Sequence, residues 1–226
     1  MCRHSCVTAR FYSMTNVAIK TDGSAWIQLI ERLVFKAGIL NEDVEAHVRN
    51  AFLKVDRRPF VDASWQSDAH KDVDIPLAGE QVLTRPSLLI RMVGLINLQK
   101  RMRILVAGSG SGYLCGVLNA AGAHVFGVEN VAALAQSSRK LLDSLGHHAV
   151  VIHRGNAIRG WAEVGPFDAI IVTFPVSDDL SLPMAQLSIN GNLVVPVASD
   201  EGAHLTVWKR ATEGYKRTVF EQVECK

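Results

Sequence analysis

The chain has 226 residues, about one large domain or one domain with an appendage at ~150 residues per domain. Apolar residues make up 48% and charged residues 20%, which supports a sizeable core and excludes a disordered chain. Lys plus Arg is 24 and Asp plus Glu is 22, a net charge of +2. That balance removes the electrostatic case for bulk nucleic-acid or anionic-membrane binding, so neither partner is expected.

Four cysteines stand at Cys2, Cys6, Cys115 and Cys225. A chain this long needs no disulfide staples, and a reducing, cytoplasmic setting is the simpler expectation. Cys2-Arg3-His4-Ser5-Cys6 has no second cluster of matching spacing, and the adjacent His147 and His148 rarely face one ion together, so no metal is expected. No stretch approaches ~18 continuous apolar residues, the length that spans a membrane. Residues 1–23 read as an unstructured extension. A transit peptide and an upstream start ahead of Met14 account for it equally well.

Trp26, Leu29, Ile30, Leu33, Val34 and Ala37 have helical spacing over 24–39. Asn41 is placed to cap a second helix carrying Val44, Val48, Ala51, Phe52 and Val55. Residues 56–85 read as loops with short elements. Pro86 opens a third helix with Leu89, Met92, Val93 and Ile96, and Thr84 is placed to cap it. Strand Arg103–Ala107 then runs into Gly108-Ser109-Gly110-Ser111-Gly112, and a helix spans Tyr113–Ala121. Strand His124–Val128 ends at Glu129. Asn130 is placed to cap the next helix, which carries Leu134, Leu141, Leu142 and Leu145 and closes at Gly146. Strands follow at Ala149–Ile152 and Asp168–Thr173, a helix near Leu182–Ile189, and a strand at Asn192–Val197. Leu205–Lys209 and Tyr215–Val223 are close enough for an antiparallel hairpin. Alternating strands and helices with apolar strands predict a parallel sheet covered on both faces.

In an open parallel sheet, ligands bind beyond the carboxyl ends of the strands. The glycine turn 108–112 sits at such an end, where glycines admit close backbone approach and a helix start offers free N–H groups. Glu129 ends the next strand, and a carboxylate there can accept two hydrogen bonds from a ribose diol. The pair indicates an adenosine-type cofactor. The nicotinamide fingerprint G-x-G-x-x-G needs a glycine where Tyr113 stands, and no lysine follows as in a phosphate-cradling loop. G-x-G-x-G with an acid after the next strand is the pattern of S-adenosylmethionine enzymes. A turn that merely links strand to helix is the bland alternative.

Over about residues 28–223 the sequence resembles the protein-L-isoaspartate O-methyltransferases. Arg57-Arg58-Pro59-Phe60-Val61 is similar to the family's P-R-x-x-F-V region. Asp72-Val-Asp-Ile-Pro-Leu-Ala-Gly-Glu-Gln81 followed by Val82-Leu83-Thr84-Arg85-Pro86 is similar to its active-site loop, D-x-x-x-P-I-G-x-G-Q-T-I-S-x-P. Ile104–Tyr113 is similar to its cofactor motif V-L-E-I-G-T-G-S-G-Y. Val125–Glu129, Phe167–Thr173 and Gln186–Pro196 follow in family order. The resemblance implies a Rossmann-like methyltransferase fold: an α/β chain with a mostly parallel seven-stranded sheet ending in an antiparallel hairpin, behind N-terminal helices. It implies methyl transfer from S-adenosyl-L-methionine to the free carboxyl of isoaspartyl residues in damaged proteins or peptides, a repair reaction. Carried over by position, Thr84 is the catalytic residue and Gln81 and Leu83 bind substrate. Gly108, Ser109, Gly110, Ser111, Gly112, Glu129, Asn130, Asn156 and Ala157 bind cofactor.

Departures stand beside these matches. Thr84 replaces the family's serine, Ala78 and Glu80 replace two loop glycines, and Val106 replaces the acid of the cofactor motif. Gly155-Asn156-Ala157 replaces G-D-G, and Gly191-Asn192 replaces paired glycines. Glu80 beside an anionic substrate should repel it unless it points away or meets a cation such as Arg85. Asn156 keeps one acceptor for the adenine amino group. The sequence therefore predicts a monomeric methyltransferase-like domain over 24–226. Residues 24–100 form a helical and active-site-loop portion and 101–226 the cofactor-binding sheet. A methyltransferase with another substrate and a non-catalytic S-adenosylmethionine-binding module are the alternatives, and a nicotinamide enzyme is more distant. Elsewhere, Arg57 and Arg58 read as surface partners of nearby acids, with anion binding as the alternative. Asp168 reads as sheet support, Cys115 as a small buried thiol, and Trp26 and Trp161 as packing.

Overall fold

The computed structural model describes residues 23–177 and 179–224. The extension at 1–23, with Cys2, His4, Cys6 and Met14, lies outside the described residues except for Gly23, which is the first residue of α1 (Gly23–Lys36). Cys225 lies outside them as well. Trp26, Leu29, Ile30, Leu33 and Val34 are buried along one stripe of α1, as three-and-four spacing dictates. The helix stops short of the expected 39 because Gly38 turns left-handed at φ +61°. α2 (Glu42–Lys54) starts as expected, with Asn41 Oδ1 accepting the Val44 amide at 3.1 Å.

Residues 55–85 wind through two short turns, at Arg58–Phe60 and Ala63–Trp65, into a small hairpin. Its strands, β1 (Ile75–Pro76) and β2 (Val82–Leu83), pair antiparallel around a tip at 77–81. α3 (Pro86–Leu95) opens at the proline. Thr84 does not cap it. Arg85 is the boundary residue and caps nothing with its side chain. The free amides are taken instead by carboxylates from upstream: Asp74 Oδ1 accepts from Arg85 at 2.7 Å and Asp72 Oδ1 from Ser87 at 2.8 Å. A charged acceptor at a helix start is a stronger partner than a hydroxyl.

The sheet begins with β3 (Arg103–Ala107), α4 (Tyr113–Ala120), β4 (His124–Glu129), α5 (Ala132–Ser144) and β5 (Val151–Arg154). The chain then crosses to β6 (Phe167–Val172), α6 (Ser181–Ala185), β7 (Leu187–Ser199), β8 (Gly202–Arg210) and β9 (Tyr215–Val223). The strand order is β5-β4-β3-β6-β7-β8-β9. The first five are parallel, and β7–β8 and β8–β9 are antiparallel. The order reverses between β3 and β6, the switch point at which such sheets bind ligands.

Several boundaries differ from the sequence reading. β5 begins two residues after Ala149, since Val150 is held in a turn by its amide bond to the His147 carbonyl. The helix expected near 182–189 is cut to Ser181–Ala185, because Leu187 already pairs with Phe167 in β7. A single hairpin was expected, but β7 also pairs with β8 across the tight connection at Asp200-Glu201. Asn130 does not cap α5, whose boundary residue is Val131 with no side-chain cap. Gly146 closes α5 as expected, at φ +84°, with the His147 amide bonded back to the Leu142 carbonyl.

Side chains alternate across the sheet with period two. Ile104, Val106, Ala169, Ile171 and Val194 face a core shared with α1 through α5. Leu105, Ala107, Ile170, Val172, Leu193 and Val195 face a second, smaller core. Cover is therefore uneven, with α6, Trp161 and short turns closing the second face. The N-terminal helices and the sheet share the first core. Asp168 ties the sheet's lower edge, accepting from the Arg103 amide at 2.8 Å and the Ser188 hydroxyl at 2.9 Å. Cys115 is fully buried, which pushes its thiol up to about 12. Trp26 stacks on His70 and Trp161 on His153. No helix among the described residues is long and apolar enough to cross a membrane. Among them, no three His, Cys, Asp or Glu side chains converge as a metal site would require. His147 meets Asn119 and His148 meets Asp143.

Candidate active site

The turn between β3 and α4 is built from left-handed residues. Gly108, Gly110 and Gly112 have φ of +82°, +53° and +88°, a region that costs other residues about 1–2 kcal/mol. Space makes the same demand at Gly108, where a Cβ would lie 2.6 Å from Thr173 Oγ1 and 2.7 Å from the Phe174 ring. Between the glycines, Ser109 and Ser111 are 6% and 8% exposed, and neither hydroxyl has a partner among the described residues. Buried hydroxyls without partners are uncommon; Ser111 lines a cavity beside α5, and Ser109 lies against Gly127. Donors and acceptors left open in a cradle at the switch point fit a polar, adenosine-type cofactor.

Glu129 ends β4 and is 1% exposed. Its Oε2 accepts the Gly110 amide and its Oε1 the Val131 amide, both at 2.8 Å. The carboxylate thus braces the glycine turn from the neighbouring strand. Each oxygen keeps one lone pair for a hydroxyl, so the ribose role expected of Glu129 is shared with a structural one.

The remaining expected cofactor residues divide. Asn130 is exposed. Asn156 is exposed, and its Oδ1 accepts the Ile158 amide at 3.2 Å, capping the short turn Ala157–Arg159. That bond takes one lone pair of the oxygen expected to meet the adenine amino group and leaves the other. Ala157 is buried in the second core and supplies no side-chain group. Val106 is fully buried and faces the helices, so an acid there would not stand at the cradle.

The hairpin tip at 77–81 rests on the glycine turn. Leu77 Cδ1 lies 3.4 Å from where a Gly110 Cβ would stand, and Gly79 lies against Val131. A cavity of about 240 Å³ separates Leu77 and Ala78 from Ser111 and from Leu134 and Ser138 of α5. Gln81 turns its amide to the Gly79 carbonyl at 3.2 Å. Leu83, expected to bind substrate, has its side chain in the first core and its carbonyl bonded to Arg57. Thr84 is 8% exposed, and its carbonyl accepts from Arg57 Nη2 at 3.1 Å. Glu80 is exposed with φ +59°. Arg85 does not meet it, because Arg85 pairs with Asp74 at 3.5 Å and with the Glu224 carbonyl at 3.0 Å.

Two features escaped the sequence reading. Arg57 is not a surface residue: it is fully buried and, among the described residues, donates only to backbone carbonyls. Its neighbour Arg58 pairs with Asp56, as expected of both. Phe174 lies against Gly108, where the sequence offers only an aromatic following a strand.

Residues 28–224 match the family described as protein-L-isoaspartate(D-aspartate) O-methyltransferase. The protein-L-isoaspartate O-methyltransferase of Rhodopseudomonas palustris is 35% identical over 175 residues, 77% of this chain and 78% of that protein. The protein of the same name from Syntrophus aciditrophicus is 32% identical over 180 residues, 79% of each. Among solved structures, a Plasmodium falciparum protein assigned to the same family, in complex with S-adenosyl-L-homocysteine, superposes with a TM-score of 0.73 at 24% identity. The match covers 88% of this chain and 97% of that one. At that identity the likeness speaks for the fold.

Proposed function

From the premise that this chain belongs to the protein-L-isoaspartate O-methyltransferase family, we propose that it methylates the free carboxyl of L-isoaspartyl residues in damaged proteins, with S-adenosyl-L-methionine as cofactor. The observation that carries the reading is the seating of the Thr84 hairpin on the glycine turn. It brings the loop that would hold substrate to the cradle that would hold cofactor.

The cofactor, when bound, supplies an electrophilic methyl group on a sulfonium. The substrate carboxylate is already ionised at neutral pH, so no side chain has to take a proton from it. What remains is orientation, whose effect reaches about 7–11 kcal/mol in well-placed intramolecular reactions. Thr84 brings a hydroxyl on this hairpin, suited to donate one bond to a substrate oxygen. Gln81 sits at the rim of the same hairpin and offers an amide once it leaves Gly79. Ser109, Ser111 and the open lone pairs of Glu129 would hold the cofactor. Transfer of that methyl from sulfur to a carboxylate oxygen would give the ester.

The exposed Glu80 on the hairpin tip favours a second reading, in which the same chemistry serves a less anionic substrate. We place the protein in the cytoplasm as a monomer that acts without nucleic acid, the last supported by its near-zero net charge. Radiolabelled methyl transfer to an isoaspartyl peptide, with the aspartyl peptide as control, tests the function. Base-labile label on the isoaspartyl peptide alone is the expected result, and equal or absent labelling overturns it.

A further inference from the structure

We propose that Arg57 is a positioning residue for methyl transfer, its buried guanidinium holding the Thr84 peptide in place by tying both limbs of the loop 69–84 to one point. The proposal rests on the function proposed above for Thr84.

Arg57 is 0% exposed. Nη1 donates to the carbonyls of Ala69 at 3.4 Å and Lys71 at 3.3 Å. Nη2 donates to those of Val73 at 3.0 Å, Leu83 at 3.1 Å and Thr84 at 3.1 Å. Three acceptors belong to the limb entering the hairpin and two to the limb leaving it. No carboxylate touches the guanidinium among the described residues, and a buried cation without a direct counter-ion is costly to keep. Burial pulls its pKa down, and Tyr113, Asp74 and Asp72 nearby push it back up.

The unit joining Thr84 to Arg85 is held at both ends. Its carbonyl accepts from Arg57, and its N–H donates to Asp74 Oδ1 at 2.7 Å. A peptide is planar, so clamping both groups fixes the plane after Thr84, and the Leu83 carbonyl held by the same guanidinium restrains the plane before it; the two planes together set the direction in which the Thr84 side chain leaves the backbone. The Tyr113 side chain is one of the electrostatic neighbours of Arg57, and among the described residues both Arg57 Nε and the Tyr113 hydroxyl are buried without a partner. A guanidinium in this place braces the loop without itself meeting substrate.

Arg57→Lys tests this, since an ammonium has three donors for five carbonyls. Single-turnover methyl transfer to an isoaspartyl peptide, normalised to folded protein, should fall about a hundredfold, the size of a small misplacement. Calorimetric affinity for S-adenosyl-L-homocysteine should stay put, and added guanidinium should raise the rate of Arg57→Ala but not of wild type. A purely structural arginine would lower the melting temperature and leave turnover per folded molecule unchanged, which overturns the proposal. Asp74→Ala releases the other end of the same peptide and covers the case in which neither Arg57 variant folds. A loss of rate at constant affinity supports the proposal, and a wild-type rate overturns it. If wild type itself methylates no isoaspartyl peptide, the proposed function fails first. Amide exchange over 82–86 then decides separately whether Arg57 clamps the loop: faster exchange in the variants supports the clamp, and unchanged exchange rejects it.

Discussion

Glu129 Oε2 accepts the Gly110 amide at 2.8 Å, so the acid ending one strand holds the glycine turn that follows its neighbour. The residue whose charge suits a ribose also shapes the cradle that would receive it.

Glu129→Ala should therefore act twice. The amides of Gly110 and Val131 lose their acceptor, at about 1–3 kcal/mol for each one buried. Ligand bonds to the carboxylate, at about 1.5–3 kcal/mol each, are lost besides. Thermal melts without ligand and calorimetry with S-adenosyl-L-homocysteine separate the two effects. Equal affinity in variant and wild type would remove Glu129 from the cofactor site.

Val106→Glu should weaken the fold and leave ligand binding no tighter. Val106 is fully buried against the helix-side core, and an unpaired charge there costs about 3–5 kcal/mol. Urea unfolding measures it. A stable variant with raised affinity would show that the side chain reaches the cradle.

Thr84 and Asp72 should separate activity from stability. Thr84→Val removes the hydroxyl but no helix cap, so single-turnover methyl transfer should drop while the melting temperature holds. Thr84→Ser should keep activity. Asp72→Ala removes the acceptor of the Ser87 amide and should cost about 1 kcal/mol of stability. A Thr84→Val variant that melts early and turns over normally would reverse the assignment.

Asp56 should contribute to acid stability. Burial alone would raise its pKa, but bonds from the Arg58 side chain and amide and from His70 outweigh burial and hold it at about 2, below the ordinary 3.8. The lowered folded value means its stabilisation is whole above the ordinary pKa and is lost as pH falls from about 4 through about 2. Its side chain is 37% exposed, so solvent reduces the effect. Urea midpoints from pH 5 to pH 2 should fall less steeply in Asp56→Asn than in wild type.

What the sequence determined by itself is local or periodic. Apolar spacing set the helices around Leu29 and Leu89, short continuous apolar runs set the strands, and glycines at 108, 110 and 112 marked a turn between strand and helix. Glu129 was legible because a fixed strand and helix length separates it from the turn. What tertiary structure decided is which polar groups meet across sequence distance. Arg57 reaches carbonyls up to 27 residues away, and Asp72 caps a helix from 15 residues upstream, displacing the adjacent Thr84 from that role. Asn156 went to its own turn, and Val106 was sealed under helices. Backbone donors and acceptors must all be satisfied once buried. Which side chain satisfies each one depends on what the fold brings within 3 Å, and no local pattern in the chain encodes that.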